Sequence, residues 1–246
     1  MKYSIKDVAK WGESWQTSDQ WQVHTLAPAP AEKFATRYLA FLQSMCGWQP
    51  TAGHSAGLEI GAGAGNVAAA FGRHGIDMVA SEWSDAGLAL IQRENPGLKT
   101  RKLDVMEFHD SCAWDFIFCR ELYPFTRVNA FTDQFRVVSC LIDALKPGGT
   151  LMLVGSDVLW PHCLDQPLLI KQLRKDPRLA SVSDRYLEVV VRRPFLARFG
   201  KVAYTLASAL LWPVVTYKRS KGWAAIYVIA IRKSADGPAA NAAPGG

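Results

Sequence analysis

The stretch Gly57-Leu58-Glu59-Ile60-Gly61-Ala62-Gly63-Ala64-Gly65-Asn66-Val67 narrows the folds open to this chain more than any other. Leu58 and Ile60 read as the apolar end of a short buried strand. Gly61, Gly63 and Gly65 then make a sharp turn at positions where a side chain would hold a ligand away from the backbone. Val67 to Phe71 begin a helix whose unpaired N–H groups face the loop. Strand, glycine loop and helix in this order predict a nucleotide-type site at the carboxyl end of the first strand of an open α/β sheet. One large class fits poorly. A dinucleotide fingerprint needs Gly or Ala at the last position of G-x-G-x-x-G, and counting from Gly61 and Gly63 that position is Asn66. A nicotinamide-dependent oxidoreductase is therefore disfavoured.

The observed pattern is Glu-x-Gly-x-Gly-x-Gly, with Glu59 two residues before the first glycine. It resembles motif I of the class I S-adenosylmethionine-dependent methyltransferases. A glycine loop alone is weak support, so the rest of the chain has to supply the other parts. At 246 residues there is room for one well-buried domain. The net charge of +6 hints at anionic partners without identifying them. Five scattered cysteines, Cys46, Cys112, Cys119, Cys140 and Cys163, form no C-x-x-C pair or cysteine/histidine cluster, so no metal site or disulfide framework is expected. The N-terminus has no apolar signal-peptide core, and a cytoplasmic, reducing compartment is the expectation.

Residues 1–50 are expected to form an N-terminal helical arm or lid. Trp11 and Trp15 stand four apart and can share a helical face, either packing the arm on the core or lining an acceptor pocket. Ala27-Pro28-Ala29-Pro30 reads as a stiff break, followed by an amphipathic helix from Ala31 to Cys46. After the glycine loop and a helix to about Gly75, Met78-Val79-Ala80 reads as a second strand ending at Glu82. In this topology an acid there can accept hydrogen bonds from both hydroxyls of a ribose; the alternative is a solvated strand-end glutamate. Trp83 beside it either stacks on a base or simply packs. Lys99 to Val105 is a third strand candidate, and its Asp104 either pairs with an adenine amino group or caps a turn. Trp114 to Cys119 is a central strand, apolar on both faces. A helix from about Phe131 to Leu145 leads through Lys146-Pro147-Gly148-Gly149 into a fifth strand, Thr150–Val154.

With these parts in order, residues 55–155 strongly resemble the class I methyltransferases, on Glu59, the three glycines, Glu82, Asp104, Asp115 and the Lys-Pro-Gly-Gly turn. The resemblance implies a Rossmann-like, mostly parallel sheet of seven strands in the order 3-2-1-4-5-7-6, the last antiparallel. It implies S-adenosylmethionine as cofactor, with the Gly61–Gly65 loop under the methionine part, Glu82 on the ribose and Asp104 on the adenine. The full cofactor set expected is Glu59, Gly61, Ala62, Gly63, Gly65, Glu82, Trp83, Asp104, Val105 and Arg120. The domain is expected over residues 51–233, with a sixth strand at Tyr186–Val191, a seventh at Ala224–Arg232, a helical insertion at 192–222 and a disordered tail at 234–246.

The insertion carries an apolar run, Val202 to Val215, with cations on both sides and no acid from Val189 to Ala235. A run of 14 residues is too short to span a bilayer comfortably. Three readings stand open: burial against the sheet or a second copy, peripheral membrane contact through residues 195–221, and a nucleic-acid surface, which is the least favoured. Base-amine and pyrimidine-C5 acceptors lack their motifs, since Arg120-Glu121-Leu122-Tyr123 follows the fourth strand. The reading that remains is O-methylation of a small-molecule or lipid-linked acceptor such as a sugar or glycolipid. The alternatives are an RNA or protein methyltransferase, or a non-catalytic cofactor-binding scaffold at a membrane. A hydroxyl acceptor needs a general base, and the candidates are His24, Glu121 and Tyr123, with His109 and His162 weaker.

Overall fold

A computed structural model describes residues 26–127, 130–156, 164–192, 194–220 and 226–236. Residues 1–25 of the predicted arm, with Trp11, Trp15 and His24, as well as His162 and the tail beyond residue 236, lie outside the described residues.

The first described helix, α1, runs Pro28–Cys46. The Ala27–Pro30 stretch is its first turn and not a break before it. Proline is tolerated there because the N–H it lacks would have no helical partner. The helix buries Ala31, Ala35, Tyr38, Phe41, Leu42 and Met45 and ends at Gly47, in left-handed conformation. Next come β1 (Ser55–Ile60), α2 (Asn66–Arg73), β2 (Ile76–Glu82), α3 (Asp85–Glu94, capped by the Ser84 hydroxyl), β3 (Lys99–Lys102) and β4 (Trp114–Arg120). The chain continues as α4 (Tyr123–Arg127), α5 (Phe131–Ala144), β5 (Leu145–Ser156), α6 (Gln166–Leu173), β6 (Leu179–Tyr186), α7 (Leu187–Arg192), α8 (Gly200–Ser220) and β7 (Ile226–Lys233).

The seven strands form one sheet in the order β3-β2-β1-β4-β5-β7-β6, as the resemblance implied. The first five are parallel, and β7 runs antiparallel between β5 and β6. Alternation along β4 divides the core. Phe116 and Phe118 face the layer with α1 and α2, whereas Ile117 and Cys119 face the layer with α5 and α6; all four are essentially fully buried. This two-faced burial is what a parallel sheet demands of its central strand.

The sixth strand lies earlier than predicted. Leu-Ala-Ser-Val-Ser-Asp-Arg-Tyr, residues 179–186, is the strand, and the β-branched run after it is helix α7. β6 has a single neighbour and mixes polar with apolar residues without alternation, so its sequence signal is faint. Val189 and Val190 are completely buried on the α1 face, and that burial outweighs their strand preference. The third strand is also shorter than expected, because Leu103-Asp104-Val105 leaves it for a 3-10 turn at Val105–Glu107.

Asp115 works at the end of the sheet opposite the glycine loop. It accepts from the Ala56 N–H at 2.8 Å and from Lys146 Nζ at 2.7 Å. It thereby ties β1, β4 and the first residues of β5 together.

Candidate functional site

The carboxyl ends of β1, β2 and β4 meet at the glycine loop. Gly61, Gly63 and Gly65 all have positive φ (72°, 60° and 75°), a conformation costly for residues with a Cβ. The N–H groups of Gly61 and Ala62 both donate to the Ser81 carbonyl, at 3.0 Å each, which pins the loop to β2. A Cβ on Gly65 would stand 3.0 Å from Ile91 and Leu98, so this glycine also lets α2 sit close to α3. Asn66, which spoiled the dinucleotide pattern, has a different task. Its Nδ2 donates to the Leu26 carbonyl and its Oδ1 accepts from Asn95, joining the segment before α1 to the loop.

Two buried carboxylates hold this turn. Glu82 Oε1 accepts from the Gly63 N–H at 2.8 Å and Oε2 from the Trp83 N–H at 3.3 Å. Each oxygen has a second lone pair, so these bonds leave acceptor capacity for a diol. Burial raises the Glu82 pKa, opposed by those two N–H groups. Glu59 Oε2 accepts from the Ala68 N–H of α2 at 2.7 Å. Burial pushes its carboxyl up to about 8; Ala68 and Arg120 pull it down and Glu82 adds to the rise.

This shift has a stability consequence. Between an unfolded value near 4.5 and the folded value of about 8, the folded chain keeps a proton that the unfolded chain has lost. Stability due to Glu59 is full below that window, falls as pH rises through it, and is flat above. Relative to Glu59→Gln, the melting temperature of the parent chain is expected to drop by roughly several degrees from pH 5 to 8. Parallel melting curves for the two proteins across that range would show that Glu59 is not protonated in the fold.

Arg120 and Glu121 end β4 on the same side. Arg120 acts electrostatically on both Glu59 and Tyr38. Glu121 has φ +49°, a strained conformation for a residue with a side chain, fixed by its N–H donating to the Val154 carbonyl at 2.8 Å. Leu122 reaches over the loop: a Cβ on Gly61 would stand 3.1 Å from its Cδ1. Tyr123 starts α4. The structure thus groups Glu59, Gly61, Ala62, Gly63, Gly65, Glu82, Trp83, Arg120 and Glu121 around one turn. Asp104 stands exposed at the end of β3, with Oδ1 accepting from the Met106 N–H at 2.8 Å, the turn-capping role considered for it. Val105 beside it is buried in the core.

Tyr38 is a site residue that sequence reasoning missed. Its ring packs on Phe118 and Phe34, and periodicity assigns it to the core, correctly as far as the ring goes. Its hydroxyl is different: it is buried without a hydrogen-bond partner and sits in the field of Arg120 and Glu121. Desolvation raises its pKa. An orphaned buried hydroxyl costs about 1–3 kcal/mol, which a bound polar group would recover. The one sequence signal is a tyrosine on a helix face where Phe34 and Phe41 serve otherwise.

This site has what an S-adenosyl group asks of it: bare loop backbone, a buried carboxylate at the end of β2 and one buried hydroxyl without a partner, that of Tyr38, near Arg120 and Glu121. The sequence agrees, since residues 58–153 match the profile of the family described as "Methyltransferase domain". No curated protein matches the chain. Among solved structures, the N-methyltransferase NodS of Bradyrhizobium japonicum, bound to S-adenosylhomocysteine, is similar with a TM-score of 0.57 at 16% identity, over 90% of this chain and 95% of that one. The phosphoethanolamine N-methyltransferase 2 of Haemonchus contortus has a TM-score of 0.55 at 18% identity, over 81% of this chain. This chain spans about half of that protein (52%). The geranyl diphosphate C-methyltransferase of Streptomyces coelicolor has a TM-score of 0.52 at 14% identity, over 81% of this chain and 74% of that one. At such identities these structures speak for the fold. Profile, strand order and loop converge: residues 58–153 match a methyltransferase domain, and the sheet has the Rossmann-like fold that these methyltransferase structures share.

Proposed function

We propose that this chain is an S-adenosylmethionine-dependent methyltransferase that methylates a hydroxyl of a small-molecule or lipid-linked acceptor, such as a sugar or glycolipid, in the cytoplasm. In this reading Glu82 receives the ribose hydroxyls, Asp104 and Val105 border the adenine with Trp83 beside it, and Glu59, the loop and Arg120 hold the methionine end. When bound, the cofactor supplies a methyl group on a sulfonium, an electrophile with a good leaving group. The chain's own part is to align the acceptor, exclude water and take a proton.

The observation that carries the hydroxyl reading is Glu121, a carboxylate held at positive φ at the end of β4, next to the field of the unpartnered Tyr38 hydroxyl. A hydroxyl becomes a good nucleophile only as its proton leaves, and Glu121 is the described base candidate best placed to receive it. Tyr123 follows two residues later, at the start of α4. Support for a lipid-linked acceptor comes from α1, which carries Tyr38 toward the site and touches α8 through the Phe41–Tyr204 edge contact. The test is transfer of a labelled methyl group to hydroxyl acceptors, free and in vesicles, by the parent chain and by Glu121→Gln. Roughly a hundredfold loss of kcat in the variant is expected, with cofactor affinity unchanged. Parent-like kcat in Glu121→Gln would rule out its role as base. Transfer to amines alone would replace the hydroxyl reading with N-methylation, the activity named for two of the similar structures.

A further inference from the structure

α8 has an apolar face on each side, and the domain covers only one. Toward the domain, Tyr204 is fully buried and Val215 nearly so, while Leu211 and Ala207 pack on the core at half depth. Away from it, Val202, Leu206, Leu210, Val214 and Tyr217 recur every three or four residues and continue the line of Phe199 in the 3-10 turn before the helix. Their exposure is high: 69% for Val202, 61% for Leu206 and 80% for Leu210. Trp212, at 55%, leans on Tyr186 beside this row. The large exposed hydrophobic residues among the described ones all fall in this one stretch.

We propose that this face docks in the plane of an anionic lipid surface. Charge complementarity selects that occupant. Arg198 and Lys201 are exposed at the start of the stripe, Lys218, Arg219 and Lys221 follow its end, and no acid stands between Val189 and Ala235. A second copy would bring the same acid-free sequence against the exposed Arg198 and Lys201, with no carboxylate to pair with them. A nucleic acid would meet the cations but leave the aliphatic row uncovered. An anionic bilayer meets both, taking the leucines into the headgroup boundary and the cations at its surface. Trp212 and Tyr217 suit the same depth, with an apolar ring body and a polar tip.

Length does not decide between lying on and spanning. The apolar stretch Leu196–Tyr217 has 22 residues, more than the 14-residue run read from sequence, and is long and apolar enough to cross a membrane. The connection decides. Tyr186 at the end of β6 pairs with Tyr227 near the start of β7, so the chain leaves and re-enters the sheet at one place. Six residue steps from Ser220 to Ile226 reach at most about 20 Å, less than the ~31 Å length of α8. With Tyr204 and Val215 both seated on the domain, the helix lies along it. Docking here goes beyond the acceptor reading and does not depend on it.

The test is flotation of the full chain with vesicles of phosphatidylcholine alone and of an equal mixture of phosphatidylcholine and phosphatidylglycerol. The parent chain is expected to float with the anionic vesicles, less so at high salt, and to stay in solution with the neutral ones. Leu206→Glu combined with Leu210→Glu is expected to reduce flotation by roughly tenfold. Both positions are solvent-facing, so affinity for S-adenosylmethionine should be unchanged, separating loss of docking from loss of fold. Flotation unaffected by the substitutions would overturn the proposal. So would no flotation, or a stable dimer in sedimentation that the double variant dissociates.

Discussion

Glu82→Ala is expected to weaken S-adenosylmethionine binding by about a hundredfold or more while the chain stays folded. Two effects add. The substitution removes the acceptor for the ribose hydroxyls, and hydrogen bonds to a charged group are worth about 1.5–3 kcal/mol each. It also frees the Gly63 N–H, now held by Glu82 at 2.8 Å, so the loop loses part of its shape before any ligand arrives. Stability moves little, because burial already raises the Glu82 pKa and ionised Glu82 is itself a cost to the fold. Calorimetric titration with a melting curve as control reads both. Parent-like affinity in the variant would refute the ribose assignment.

Gly149→Ala is expected to destabilise the fold by about 1–3 kcal/mol without touching the site. A Cβ there would stand 3.0 Å from the carbonyl oxygens of Lys146 and Trp114 and 3.2 Å from that of Asp115. These are backbone atoms of two neighbouring strands, tied in place by the Asp115–Lys146 and Asp115–Ala56 bonds, and they cannot swing aside. For a chain of this size the shift is roughly 2–12 °C in melting temperature. An unchanged melting temperature would show that β4 and β5 tolerate separation at this point, and that the Lys-Pro-Gly-Gly segment is not a packing device.

Where local chemistry and tertiary role coincide, the sequence was transparent. The glycine loop needs positive φ three times, and only glycine supplies it cheaply. Glu82 could be placed because a strand, a helix and a second strand of ordinary length bring its carboxylate back to the loop. β4 and β7 are apolar enough to be read directly. The misreadings share a physical cause, which is that neighbours decided what the local pattern left open. Val189 and Val190 look like a strand and are a buried helix. β6 is a half-polar edge that only β7 makes a strand. Pro28 looks like a break and starts α1. Tyr38 is invisible as a site residue because its ring obeys the core pattern; its hydroxyl matters only once Arg120 and Glu121 are near. Asp104 remained ambiguous in sequence because turn capping and base recognition both favour an aspartate at a strand end, and capping is the role its Oδ1 fills.

The loop and its two carboxylates are expected to take S-adenosylmethionine and not a dinucleotide. Calorimetric titration of the purified full chain with S-adenosylmethionine, and separately with NAD, tests this most directly. Micromolar, one-to-one binding of S-adenosylmethionine with no heat from NAD is the predicted result. Binding of NAD, or of neither, would contradict it.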